Sequence, residues 1–209
     1  MTIQLPKLLT KEENNIYSIL EQENISEKYH ISAYEEMVLN AWDEFYKGIK
    51  ETVIGFPIWA VYFNKFTPLE DFPKWKSDFV FKNIKLYLNN REFIDQWLKK
   101  YNNLEAFSPT HKKMEWQAGE SITSLWDGII QFRPSGIRIK KPTCFPALVA
   151  MVQIPVIGKY KRRLTVREAA RLQSFPDTFI PNANDQQAYK QFGNAVNVEV
   201  IKLMAEKLF

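Results

Sequence analysis

The spacing of apolar residues changes twice along this chain, and that change limits the possible folds more than any other feature. In residues 1–102 apolar side chains recur every three or four positions, the period of a helix with one buried face. In residues 103–162 short apolar runs alternate with Pro, Gly and Ser, which is typical of short strands joined by turns. Helical spacing returns in residues 163–209. The sequence therefore predicts a mixed α/β (α+β) fold, with a small sheet between helical segments.

Local signals predict where several helices begin. In a capping box, a Ser or Thr and a Glu three residues later each satisfy the free backbone amide of the other residue. This pattern occurs at Thr10–Glu13, Ser32–Glu35 and Thr165–Glu168. Apolar residues at helical spacing predict two more helices, near residues 71–84 and 93–101.

The C-terminal residues predict two further helices. Asp185 is expected to cap a short helix that ends at Gly193, because glycine suits a left-handed turn at a helix C-terminus. A last helix is expected from Val198 to about Lys207. Its apolar residues are expected to be buried across a broad face: Val200, Ile201, Leu203, Met204 and Leu208.

The middle of the chain predicts a small sheet. Strands are expected at Gly128–Phe132, Ile137–Ile139 and Ala147–Val152, where short apolar runs are bounded by turn residues. Pro134–Gly136 and Lys140–Pro142 are expected to form the loops between them. Basic loops on a small sheet would suit a surface that faces a nucleic-acid groove.

The charge distribution makes a polyanionic partner plausible. The formal net charge is +4 and the pI is about 9.0. Ten basic residues fall within about forty positions that contain few acids: Arg133, Arg138, Lys140, Lys141, Lys159, Lys161, Arg162, Arg163, Arg167 and Arg171. A local positive field is therefore expected in this part of the chain.

The composition also argues against several classes of protein. One cysteine and two histidines cannot form a disulfide framework or a cysteine-rich zinc site, and they make a histidine-led metal site improbable. No apolar run reaches the roughly 18 residues of a membrane-spanning helix, and the N-terminus does not resemble a secretion signal. We therefore expect a cytoplasmic protein without a metal ion.

Two long motifs near the C-terminus narrow the function. The first is Arg163-Leu-Thr-Val-Arg-Glu-Ala-Ala-Arg-Leu-Gln-Ser-Phe-Pro-Asp-Thr-Phe179, and the second is Gln187-Ala-Tyr-Lys-Gln-Phe-Gly-Asn-Ala-Val196. Their residues and order resemble the ninth and tenth of the ten ordered motifs of cytosine-5 DNA methyltransferases. The resemblance implies a target-recognition region in residues 1–162. It assigns residues 163–209 to the hinge and to the C-terminal helix of a Rossmann-like lobe that binds S-adenosylmethionine.

The resemblance also points to the residues that would bind DNA. In this family the recognition region typically ends in a basic, glycine-containing loop followed by a strand, and Gln131–Arg138 and Pro146–Ala150 lie where these are expected. Arginines in such a loop can bind guanine edges, whereas lysines more often neutralise phosphates. The predicted DNA-binding residues are Arg133, Ser135, Arg138, Lys140, Lys141 and Arg163. The alternative is a solvated basic loop, and Glu115–Gly119 is a further candidate for this surface.

The tenth motif implies a partial cofactor pocket. By resemblance Gly193, Asn194 and Ala195 face S-adenosylmethionine, and Ala195 stands where many relatives have a serine, so a hydroxyl contact is lost. The alternative is that Gly193 only caps a helix. For Arg167 and Arg171 of the ninth motif, structural salt bridges are favoured over contacts with DNA.

Several motifs that the family needs for catalysis are absent from this sequence. The nucleophilic thiolate of the family lies in a Pro-Cys dipeptide, whereas Cys144 lies in Thr-Cys-Phe-Pro and is better interpreted as a packed or loop thiol. The Phe-x-Gly-x-Gly, Glu-Asn-Val and Gln-x-Arg-x-Arg motifs are also missing. The chain alone is therefore expected to be inactive.

The resemblance implies part of an enzyme that methylates cytosine C5 in a specific duplex sequence, as in restriction-modification systems. We expect double-stranded DNA and a complementary half with the first eight motifs as partners. The Met1 start suits a natural split subunit, although a truncated gene or an excised domain would look identical. A stand-alone DNA-binding module and an inactive remnant are the alternatives.

Overall fold

A computed structural model of the protein describes residues 16–51, 54–63, 72–148 and 153–208. The chain forms two compact units. The terminal unit takes in the described parts of Met1–Tyr29, Pro142–Ile154 and Leu164–Phe209. The sheet unit takes in those of His30–Lys141 and Pro155–Arg163. The chain thus alternates between the units, whereas the resemblance implies two successive segments that meet after residue 162.

The sheet unit contains a six-stranded, mostly antiparallel sheet with the strand order β1-β2-β4-β3-β5-β6. The strands are β1 Ile58–Trp59, β2 Lys113–Gln117, β3 Ile129–Arg133, β4 Gly136–Lys140, β5 Val156–Ile157 and β6 Arg162–Arg163. Only β2 and β4 pair in parallel. The mixed α/β fold is confirmed, and β3 and β4 correspond to two of the expected strands. The other four strands were not predicted.

The described part of the sheet unit also contains three α-helices: α1 Ala33–Gly48, α2 Lys74–Asn89 and α3 Arg91–Lys100. The capping box expected before α1 is confirmed. The Glu35 amide donates to Ser32 Oγ at 3.2 Å, and the Ser32 amide donates to Glu35 Oε2 at 3.0 Å. These bonds satisfy two backbone donors that the first turn of a helix leaves free.

Aromatic side chains of α1 and α3 form the centre of the core in this unit. The rings of Phe45 and Trp97 lie 4.9 Å apart, and those of Trp42 and Trp97 lie 5.4 Å apart. Both indole N–H groups are satisfied, because Trp42 donates to the His111 carbonyl and Trp97 to the Ala41 carbonyl, each at 2.8 Å. Large rings therefore fill the core without leaving either of these indole donors unpaired.

The beginning and end of the sheet unit lie side by side. His30 forms an antiparallel bridge with Arg162. The Ile31 amide donates to the Lys161 carbonyl at 3.1 Å. The backbone enters and leaves this unit at neighbouring positions.

The terminal unit contains α4 Val166–Leu172, α5 Asp185–Asn194 and α6 Val198–Leu208. Helices α4 and α5 share a small core, and the hydroxyl of Tyr189 in α5 donates to the Leu164 carbonyl at 2.6 Å. The buried residues of this core are Val166, Ala169, Ala170, Ala188, Tyr189 and Phe192.

The buried carboxylate of Glu168 joins two distant segments of the terminal unit. Its Oε2 accepts from the Thr165 amide at 2.8 Å, which completes the predicted capping box of α4. Its Oε1 accepts from the Glu21 amide at 2.9 Å. This contact explains why residues before the sheet unit pack with residues after it, which no local sequence pattern predicts.

Replacing this carboxylate should destabilise the protein. In Glu168→Ala two amides lose their charged acceptor, and we expect the free energy of unfolding to fall by roughly 2–4 kcal/mol. Urea unfolding of the parent and the variant measures the change. Glu206→Ala, which removes an exposed carboxylate from α6, is the control and should have little effect. A change below about 0.5 kcal/mol in Glu168→Ala would contradict this prediction.

Two details of α5 differ from the sequence-based expectation. Asn184, rather than Asp185, caps the helix, because its side chain accepts from the Gln187 amide at 3.1 Å. Gly193 is helical and does not form a left-handed turn, since α5 continues to Asn194 and ends through the extended Ala195. The predicted glycine cap is therefore wrong.

The last helix has the predicted position but not the predicted burial. No residue of α6 is buried. The exposed apolar side chains include Val198, Val200, Ile201, Leu203, Met204 and Leu208. The described part of this unit thus leaves the apolar face of α6 uncovered.

Two predicted elements lie wholly or partly outside the described residues. The capping box at Thr10–Glu13 is outside them. The strand expected at Ala147–Val152 is described only at Ala147 and Leu148, and neither residue is in a strand.

Candidate nucleic-acid interface

The hairpin of β3 and β4 carries four of the predicted DNA-binding residues: Arg133, Ser135, Arg138 and Lys140. Arg133 pairs with Gly136 across a two-residue turn formed by Pro134 and Ser135. Gly136 has a φ of +127°, and a Cβ at this position would lie 2.9 Å from the Lys113 carbonyl oxygen. Only glycine fits here, because β4 passes very close to the start of β2.

Glu115 binds both arginines of this hairpin. Its Oε2 accepts from Arg133 Nη2 at 2.6 Å and from Arg138 Nε and Nη2, each at 3.3 Å. Glu115 and Gln131 are the cross-strand neighbours of Arg138, so the side chains share one face of the sheet. We call Glu115, Gln131, Arg133 and Arg138 the Glu115 cluster.

The two arginines of the Glu115 cluster differ in how deeply they are buried. Burial alone would raise the pKa of the Glu115 carboxyl, but the guanidinium groups of Arg133 and Arg138 hold it below its usual value. The Arg133 side chain is only 15% exposed, whereas that of Arg138 is 26% exposed. The cluster has a net charge of about +1, and Arg138 is its more accessible cation.

The two predicted lysines lie at the other end of β4. Lys140 is half-buried at the last position of this strand, and the exposed Lys141 follows it. Ser135 is exposed in the turn before the strand. At about 3.3 Å per residue, Ser135 and Lys141 are separated by about 20 Å. The structure thus brings Arg133 and Arg138 together but leaves the lysines apart from the turn.

Arg163 is not part of the Glu115 cluster. It pairs with Val156, which in turn pairs with Ile130, so its side chain lies on the opposite face of the sheet from Arg138. Its Nη2 donates to Glu35 Oε1. Burial alone would raise the pKa of the Glu35 carboxyl, but Arg163 and the Ser32 groups hold it below its usual value. Arg163 therefore has a structural partner.

The residues of the segment Glu115–Gly119 differ in whether they belong to this surface. Trp116 is buried, stacks on Tyr46 and donates from its indole to the Gly119 carbonyl at 2.8 Å. It is therefore a core residue. Glu115 lies on the opposite face of β2 and organises the arginines.

The three predicted cofactor residues follow one another at the end of α5. Asn194 is exposed, and Gly193 and Ala195 are half-buried. The Ala195 amide donates to the Phe192 carbonyl at 3.3 Å. Because Asn194 is exposed, a polar ligand can reach its side-chain amide from solvent.

Asn197 is a further organising residue, which is not among the residues predicted from the sequence. Its Oδ1 accepts from the Val200 amide at 3.2 Å and from Ser174 Oγ at 3.1 Å. Its Nδ2 donates to the Leu172 carbonyl at 3.1 Å. An Asn just before an apolar helical stretch is a common N-cap signal that could have revealed this role.

The family model of the C-5 cytosine-specific DNA methylases matches residues 5–209 of the chain. The chain belongs to this family. The match runs through both units, so the DNA methylase sequence pattern includes the hairpin as well as the two C-terminal motifs.

Several curated DNA methylases are similar to this family member. Type II methyltransferase M.AluI of Cellulosimicrobium cellulans is 39% identical over 137 residues, which are 64% of this chain and 26% of the relative. M.SsoII of Shigella sonnei is 57% identical over 51 residues, 24% of this chain and 14% of the relative. M.BanI of Aneurinibacillus aneurinilyticus is 58% identical over 48 residues, 23% of this chain and 11% of the relative.

The chain therefore spans about a quarter or less of the length of these DNA methylases. No solved structure gives a significant match to it. In the described part of the chain, no three His, Cys, Asp or Glu side chains are grouped so that they could hold a metal ion. None of the described helices is both long enough and apolar enough to cross a membrane.

Proposed function

We propose that this chain is the DNA-recognition and C-terminal part of a Type II DNA cytosine-5 methyltransferase. The complete enzyme transfers a methyl group from S-adenosylmethionine to C5 of cytosine in a specific duplex sequence, within a restriction-modification system in the cytoplasm. The family match from residue 5 to residue 209 carries this proposal.

The hairpin supports a role in sequence recognition. Arg138 is fixed by Glu115 from one side and its side chain is 26% exposed, and Ser135 is exposed in the adjacent turn. A guanidinium held in one orientation loses less conformational entropy on binding a guanine edge than a free side chain does. Lys140 and Lys141 are proposed to neutralise phosphates.

The chemistry requires residues that this sequence does not contain. Cys144 is exposed and lies outside a Pro-Cys dipeptide. We propose that a complementary half with the first eight motifs provides the nucleophile and most of the cofactor pocket. The uncovered apolar face of α6 favours this arrangement over a stand-alone DNA-binding module, because such a face would be costly to leave in water.

The end of α5 fits one wall of the cofactor pocket. The exposed amide of Asn194 can donate to or accept from a polar group, and Gly193 presents no side chain there. When bound, S-adenosylmethionine supplies the methyl group. The proposed role of Gly193, Asn194 and Ala195 is to position the donor, while Asn197 fixes the start of α6 to the end of α4.

Selection from a pool of random duplexes tests the recognition role without knowledge of the target. We expect the chain to enrich one short sequence. Arg133→Ala and Arg138→Ala should weaken binding to that sequence by about tenfold or more, equivalent to roughly 1.4 kcal/mol, with the fold retained. Lys99→Ala on α3 is the control. If both arginine variants bind like the parent, the hairpin is not the recognition surface.

A further inference from the structure

The outer face of α2 combines positive charge with exposed apolar side chains. The helix contains four lysines and one aspartate, a net charge of +3. Phe81 and Leu88 lie on the side away from the buried Asn83 and are 57% and 61% exposed, and Trp75 on the flank of the helix is 61% exposed. The exposed lysines are Lys74, Lys82 and Lys85. We call these six residues the α2 face.

The lysines of α2 differ from those of the neighbouring helices. Lys47 of α1 pairs with Asp43, and Lys100 of α3 pairs with Glu44, each at 2.6 Å. Within the described residues no ion pair is formed by a lysine of α2. Lys82 instead has its Nζ 5.7 Å from the centre of the Phe79 ring. The positive charge on this helix is therefore available to an external anion.

The α2 helix is attached to the end of the sheet where the hairpin turns. Asn83 accepts from the Trp59 amide at 2.7 Å and donates to the Pro57 carbonyl at 3.0 Å, which fixes α2 beside β1. Trp59 pairs with Lys113 on β2, and Lys113 lies against Gly136 of the hairpin. With strands about 4.8 Å apart and a helix about 10 Å across, the α2 face lies roughly 20 Å from the turn.

This distance is shorter than one turn of a DNA duplex that contacts the hairpin. One turn of B-form DNA is about 34 Å long, so phosphates flanking the hairpin site fall within reach of the α2 face. Lysine side chains can neutralise these phosphates, and the apolar side chains can pack on deoxyribose. Helix α6 also exposes apolar side chains, but it has two lysines and two glutamates and therefore no net charge.

We propose that the α2 face binds the sugar-phosphate backbone of duplex DNA beside the recognition sequence. This inference rests on the proposed function, because it requires that the hairpin binds duplex DNA. The face adds affinity that does not depend on sequence and extends the length of duplex that the protein covers.

The test is the salt dependence of DNA binding by the full chain. The logarithm of the binding constant changes with the logarithm of salt concentration by about 0.9 for each neutralised phosphate. A variant with Lys74→Gln, Lys82→Gln and Lys85→Gln should have a slope smaller in magnitude by about 2–3. The ratio of affinities for selected and unselected duplexes should stay the same, because phosphate contacts carry no direct sequence information.

Two controls make the result specific. Lys99→Gln, Lys202→Gln and Lys207→Gln together remove the same charge from other exposed positions and should change the slope much less. Arginine at the three α2 positions should restore the slope. A duplex cut short on the side of α2 should bind the parent and the triple glutamine variant equally.

The outcomes separate this inference from the proposed function. If the parent binds its selected duplex and the triple glutamine variant has the same slope, the α2 face does not bind DNA, although the recognition role stands. The same conclusion follows if the variant loses only association with the complementary half, which would make the face a protein interface. If the parent binds no duplex, both proposals fail.

Discussion

Methyl transfer to cytosine C5 is expected when this chain is combined with a polypeptide that carries the first eight motifs, and none is expected from the chain alone. The physical reason is that addition of a thiolate to the ring must precede transfer of the methyl group, and the Pro-Cys dipeptide is absent here. The partner should come from the same genome and contain the Pro-Cys and Phe-x-Gly-x-Gly motifs. Incorporation of labelled methyl groups into unmethylated genomic DNA measures the activity.

The lone cysteine provides a matched control for that experiment. Cys144 is exposed outside the recognised motifs, so Cys144→Ala should leave the activity of the combined enzyme unchanged. Robust transfer by the chain alone would contradict the prediction. Loss of activity in Cys144→Ala would show that the thiol has a role in the reaction.

Replacing apolar residues of α6 by charged ones should strongly weaken association with the complementary half. Ile201 and Met204 lie one turn apart and are both exposed, and burial of such a side chain contributes roughly 1.5–3 kcal/mol. Ile201→Glu with Met204→Glu should therefore weaken association by about 100-fold or more. Analytical ultracentrifugation measures the complex, and the same variant alone should self-associate less than the parent.

The control for the α6 experiment lies on the same helix. Lys202→Gln changes an exposed polar side chain next to Ile201 and should leave association almost unchanged. Full restoration of methyl transfer with the double glutamate variant would mean that α6 does not form the interface with the complementary half.

Local features of this fold could be predicted from the sequence, whereas distant pairings could not. The capping boxes at Ser32 and Thr165 depend on residues three positions apart, and both were found in the structure. Strand β2 was missed because Lys113–Gln117 has only two apolar residues between charged and polar ones. Its parallel pairing with β4 joins residues more than twenty positions apart, which no local pattern indicates.

In the candidate site, too, the local pattern could be predicted from the sequence but the distant contacts could not. The hairpin was predicted as a basic, glycine-containing loop, but the partner of its arginines was not. Glu115 lies 18 residues before Arg133 and 23 before Arg138, and the contact depends on the strand order. The predicted burial of α6 was wrong because periodicity identifies an apolar face but does not say which surface covers it.

The adjacent entry and exit of the sheet unit have a consequence for the evolution of specificity. Since His30 bridges Arg162, a segment of one relative that starts and ends at these positions could replace that of another with little strain on the flanking backbone. Such an exchange would carry Pro142–Ile154 with it, so this stretch must remain compatible with the rest of the terminal unit. If the sheet unit recognises DNA as proposed, recombination at these two neighbouring points would give a methyltransferase a new target in a single step.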